Sequence, residues 1–128
     1  DNPAYYLKYT HARLCSVERQ ARGAAVVLPD HAVPDDVRQL TTPEDRELLK
    51  CLLKAQDEVD DAAQMRQPHR VLYFASELAK SINTFYQKEK VIQDDAGLAR
   101  ARMVLVLTSR RLLQAYAHIL GMSLPEFM

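Results

Sequence analysis

Apolar positions in this chain recur at intervals of three and four residues, and no stretch of any length alternates with a period of two. That pattern predicts helices and no strands. The first helix is expected from Pro3 to about Arg22, with Asn2 as its cap, Pro3 in its first turn and Gly23 as its stop. Residues 24–41 hold Pro29, Pro34 and several small or acidic residues, and read as a loop with room for one short turn. Thr42-Pro43-Glu44-Asp45 is a helix start: Thr42 can cap, Pro43 lacks an N–H that would be unpaired there anyway, and two acids face the positive helix end. The second helix then runs to about Arg66, with Leu48, Leu49, Leu52, Ala55, Val59, Ala62 and Ala63 on its apolar side. The third runs from Pro68 to about Lys88 and aligns Val71, Phe74, Ala75, Leu78, Ile82, Phe85 and Tyr86. Asp94 and Asp95 cap the fourth, from about Ala96 to Leu120, which turns Leu98, Ala101, Val104, Leu105, Leu112 and Ile119 inward and ends at Gly121. Ser123 to Met128 form a short terminal turn. The expected fold is all-α: an antiparallel bundle of four main helices plus short loop and terminal turns, one domain over residues 1–128.

The 128 residues suffice for one core, and 48% hydrophobic with 27% charged residues is an ordinary globular composition. No apolar run is long enough to span a membrane, and no signal-peptide pattern occurs. Cys15 and Cys51 lie far apart without metal-ligand spacing, so two buried, reduced thiols in a cytoplasmic protein are expected and zinc is not. The chain begins with Asp1, which suggests a segment of something longer.

Motifs for catalysis are missing. There is no glycine-rich phosphate loop, no GxSxG and no HExxH, and His11, His31, His69 and His118 lie on separate segments. Asp57, Glu58, Asp60 and Asp61 fit a solvated outer face better than a metal site.

Charge is more informative. Seventeen basic and seventeen acidic side chains cancel, yet no acid occurs from Ala96 to Pro125, where Arg100, Arg102, Arg110 and Arg111 stand. The first helix adds Lys8, Arg13, Arg19 and Arg22 against the single acid Glu18, and Lys88 and Lys90 follow Tyr86. A neutral chain polarised in this way can meet a phosphate backbone with one basic side. Aromatic residues interleave with these cations, and unpaired bases stack on rings and guanidinium planes. Tyr5, Phe74 and Phe85 fit the core. Tyr9 and Arg13, one helical turn apart, fit the core or an exposed stacking pair equally well on spacing alone.

Three blocks resemble one family. "NPAYYLKYTHARLCSVER" looks like the start of the C-terminal helical domain of arginyl-tRNA synthetases, "PHRVLYFASELAKSINTFYQKEKVI" like its next signature, and "ARARMVLVLTSRRLLQAYAHILGMSLPEFM" like its last helix and tail. Together they cover nearly the whole chain in order. Departures are Lys8 for the common Gln, Thr10 for Ala, Asn83 for a bulkier aromatic, and Phe127 for the usual Arg of the tail.

The resemblance implies an all-α anticodon-binding domain, often called DALR, that grips the anticodon stem and loop of tRNA-Arg and reads chiefly the middle cytosine. Carried over by motif, Tyr9, Arg13, Tyr86 and the terminal Met128 would line the base pocket, and His11 would tie helices together. Lys8, Lys88, Lys90, Arg110 and Arg111 are the candidate phosphate contacts. The family's amino-acid activation, with ATP and magnesium, occurs in an upstream Rossmann-type domain whose HIGH-like signature is not among these residues, so no catalytic residue, metal or cofactor is expected in this domain. The upstream catalytic domain of the same chain is the second implied partner, and a cytoplasmic monomer is expected. The competing reading is a helical protein-interaction module derived from that domain.

Overall fold

A computed structural model describes residues 2–65 and 67–128. It contains α1 (Pro3–Gly23), α2 (Pro34–Gln39), α3 (Pro43–Met65), α4 (Pro68–Lys88) and α5 (Ala96–Ile119), and no strand among the described residues. Arg66, the expected end of the second helix, lies outside them, as does Asp1.

The helix starts follow the side chains that precede them. Asn2 accepts from the backbone N–H of Ala4 at 3.0 Å and Tyr5 at 3.3 Å. Thr42 Oγ1 accepts from Asp45 N at 3.1 Å while Asp45 Oδ2 accepts from Thr42 N at 3.4 Å, a reciprocal box that opens α3. Asp95, rather than Asp94, caps α5, accepting from Leu98 N at 3.1 Å. The end of α1 departs from expectation. Gly23 remains helical, and the left-handed residue that closes the helix is Ala25, at φ 58°. Val26 N donates to Ala21 O and Ala25 N to Arg22 O, the paired bonds of a Schellman turn, and Gly121 at φ 70° closes α5 through the same pattern.

The expected short turn is the six-residue α2, too short to be stable alone. Asp36 holds it, accepting from Val33 N at 2.8 Å and pairing with Arg100 of α5 at 3.2 Å.

α5 touches every other helix, whereas α1 and α3 do not touch each other. The antiparallel α4–α5 pair therefore forms the middle of the bundle, with α1 and α3 on its flanks. Glu18–Arg110 and His11–Gln114 show α1 antiparallel to α5. Asp45–Arg102 and Glu58–Tyr116 climb together, so α3 runs parallel to α5. The core runs between the layers through Leu7, Leu14, Leu48, Leu52, Leu78, Ile82, Phe85, Met103, Leu105, Leu113 and Tyr116.

Several burial expectations change. Tyr5 is 58% exposed, not core, because it lies at the unpacked start of α1. Phe74 is half-buried and stacks edge-on with exposed Tyr73, and Cys51 is half-buried whereas Cys15 is buried. Ala63 faces solvent, while Asp57, Asp60 and Asp61 are exposed as expected. Glu58 instead accepts from the Tyr116 hydroxyl at 3.3 Å, and burial together with this carboxylate pushes that phenol well above the ordinary tyrosine range.

Candidate nucleic-acid interface

α1 and α4 bring together three residues that lie far apart in sequence. The Arg13 guanidinium lies 4.6 Å from the ring centre of Tyr9 and 4.3 Å from that of Tyr86. Both rings are 39% exposed. Arg13 also donates to the Tyr9 hydroxyl. Among the described residues no carboxylate pairs with Arg13, so its charge reaches the surface unneutralised, backed by two flat rings.

Two buried polar residues, Asn83 and Thr10, support this arginine. Asn83 Oδ1 accepts from Arg13 Nη1 at 2.8 Å, and Asn83 Nδ2 donates to Thr10 Oγ1 at 2.7 Å and to the Ala79 carbonyl at 2.9 Å. Thr10 in turn donates to the Tyr6 carbonyl at 2.8 Å. Asn83 and Thr10 are both buried. The amide orientation is determined, since the guanidinium can only donate and the carbonyl can only accept. No local pattern links Asn83 to Thr10, because the bond between them joins residues 73 positions apart.

The tail lies against a different side of α1. His11 Nδ1 donates to the Pro125 carbonyl at 2.8 Å, and its Nε2 accepts from the Gln114 amide at 3.1 Å. His11 therefore ties α1 to both α5 and the tail. Arg19 donates to the Glu126 carbonyl at 3.3 Å and stacks on Phe127 at 4.0 Å from the ring centre. His11 is two residues from both Tyr9 and Arg13, hence on another side of the helix. Met128 is 62% exposed at the end of this tail, and the described contacts do not bring it to Tyr9, Arg13 or Tyr86.

The acid-free stretch of α5 is far less basic in space than in sequence. Arg102, 5% exposed, pairs with both oxygens of Asp45 at 3.0 Å and with Glu89 at 3.3 Å, and donates to the Lys90 carbonyl. Arg100 meets Asp36, and Arg110 meets Glu18 at 3.0 Å. These carboxylates come from other elements, so inspection of α5 alone misses them. Of the candidate phosphate contacts, Arg110 is thus charge-compensated, whereas Lys88, Lys90 and Arg111 are exposed, Lys8 is half-buried, and none of these four forms an ion pair among the described residues. Lys88 follows Tyr86 in the last turn of α4. No metal-binding cluster occurs among the described residues, and none of their helices is long and apolar enough to cross a membrane.

Residues 7–128 match the family model described as the DALR anticodon binding domain. The whole chain is 37% identical over 128 residues to an arginine–tRNA ligase of Desulfitobacterium hafniense and 39% identical to one of Symbiobacterium thermophilum. In both cases it spans 23% of the relative's length. Among solved structures, the arginyl-tRNA synthetase of Thermus thermophilus superposes with a TM-score of 0.77 at 31% identity, covering 96% of this chain and 21% of the other. An all-α bundle with this match along nearly its full length belongs to the DALR anticodon-binding domain family.

Proposed function

We propose that this chain binds the anticodon stem and loop of tRNA-Arg as the C-terminal domain of an arginine–tRNA ligase, reading chiefly the middle cytosine. The observation that carries this reading is the unneutralised Arg13 guanidinium set against Tyr9 and Tyr86 on the surface of a DALR domain. An unstacked base finds on this surface both a flat face and hydrogen-bond donors. Tyr9, Arg13 and Tyr86 act on the base, while Lys8, Lys88, Lys90 and Arg111 hold the flanking phosphates. Arg110 contributes less because Glu18 compensates it. Met128 joins the pocket only if the RNA reaches across to the flank that carries the tail. Amino-acid activation, with ATP and magnesium, belongs to the ligase's catalytic domain, and the setting is a cytoplasmic monomer.

Titration of an anticodon stem-loop RNA at several salt concentrations tests the reading. With two to four phosphates held, log K falls against log salt with a slope of roughly −2 to −4. Lys88→Gln lowers the slope by about one and leaves the loop preference unchanged. Binding independent of salt, or equal binding of an unrelated stem-loop, would overturn it.

A further inference from the structure

Arginine is long and has many rotamers, yet base recognition needs its plane in one place. On this chain one buried amide fixes it. Asn83 is buried on α4, accepts from Arg13 Nη1 at 2.8 Å, and is itself held by Thr10 Oγ1 at 2.7 Å and the Ala79 carbonyl at 2.9 Å. Thr10 is fully buried and anchored to the Tyr6 carbonyl. The chain of bonds runs from the α1 backbone through Thr10 and Asn83 to Arg13, and the guanidinium at its end touches both rings. Every polar atom of the Asn83 side chain is therefore engaged within the protein, and its burial keeps it from the RNA.

We propose that Asn83, supported by Thr10, is a positioning residue for RNA recognition: it presets the Arg13 guanidinium against Tyr9 and Tyr86 before any base arrives. The inference deepens the anticodon-binding reading and rests on it for its functional consequence. Ordering a flexible side chain in advance removes that entropic cost from the binding step. One Nη1 hydrogen faces Asn83 and one Nη2 hydrogen faces the Tyr9 hydroxyl, which leaves three of the five N–H donors without a described partner. Asn83 thereby fixes where the guanidinium sits against the two rings.

The test has an arm without RNA and an arm with it. In the first, NMR of the Arg13 guanidinium in the free protein reports restricted rotation and ring-current shifts. Asn83→Ala abolishes both signatures. Asn83→Leu, of similar volume but with no acceptor for Nη1, abolishes them as well. In the second arm, Asn83→Ala and Arg13→Ala are combined in a double-mutant cycle against the anticodon stem-loop. Asn83→Ala weakens binding about tenfold in the parent background and less than about twofold when Arg13 is already Ala. Thr10→Ala, a smaller change that leaves the Asn83–Arg13 bond intact, gives a weaker loss with the same dependence on Arg13 and serves if Asn83→Ala fails to fold. Equal losses in both backgrounds, for Asn83→Ala or for Thr10→Ala, or an Arg13 signal unchanged by Asn83→Ala, would overturn the proposal. Parent protein that shows the restricted Arg13 signal yet does not bind the stem-loop overturns the anticodon reading and the role in recognition, leaving the structural latch standing.

Discussion

Tyr9 has one described side-chain partner, Arg13, and a large exposed face, so its removal separates function from folding. Tyr9→Ala is expected to weaken stem-loop binding by ~1–3 kcal/mol, the usual worth of one stacking ring. Its unfolding free energy should change by less than about 1 kcal/mol, as for other surface substitutions. Fluorescence anisotropy and urea denaturation measure the two quantities, and a large stability loss would make Tyr9 a packing residue instead. The residue-scale reading was partly legible. Tyr9 and Arg13 sit one turn apart, and helical periodicity alone puts them together. Tyr86 and Asn83 complete the group across about seventy residues, which no local pattern reveals. Tyr5 is exposed rather than in the core because spacing places a side chain on a face but does not say where the covering helices end.

His11 gives a prediction of different character. It is buried with both ring nitrogens engaged, and burial pushes its pKa below 6.5, with the Arg110 charge adding to the effect, while the Pro125 carbonyl and the carboxylates of Glu126 and Glu18 oppose it. Protonation would also set a second N–H against the Gln114 amide donor. Because the folded value lies below the unfolded one, the unfolded chain binds more protons between the two. The stabilisation by neutral His11 is complete above pH 6.5 and falls as the pH drops toward and through the folded value. Between neutral pH and about pH 5.5, the melting temperature of the parent should fall more than that of His11→Asn. Equal falls would show that this imidazole does not govern the acid sensitivity.

At the scale of elements, Arg102 and Asp45 join α5 to the first turn of α3, and Glu89 brings in the end of α4. Asp45 also closes the capping box, so one carboxylate both starts a helix and docks it. Arg102→Met leaves two largely buried carboxylates without their cation and should destabilise by ~3–5 kcal/mol in urea denaturation. A loss below about 1 kcal/mol would mean that water reaches the pair and the junction is held by packing alone. The helices themselves were readable from caps, prolines and period. Their docking was not, because Arg102 lies in a sequence stretch that looks like basic surface, and its partners stand on other helices. The end of α1 shows the same limit at short range: Gly23 looked like the stop, yet the Schellman bonds place the left-handed position at Ala25.

For the molecule as a whole, zero net charge hides local compensation. Arg100, Arg102 and Arg110 are neutralised by carboxylates that hold the fold together, which leaves Arg13 between its rings as the cation best placed for recognition. This group is expected to discriminate an anticodon base. The most direct measurement compares dissociation constants for two tRNA-Arg anticodon stem-loops that differ only in the middle base, cytosine or uracil, with the parent chain and with Arg13→Ala. The parent is expected to prefer the cytosine loop by at least about tenfold, or ~1.4 kcal/mol, and Arg13→Ala to bring the two loops together. Equal affinity of the parent for both loops, or a preference that survives Arg13→Ala, would contradict the account.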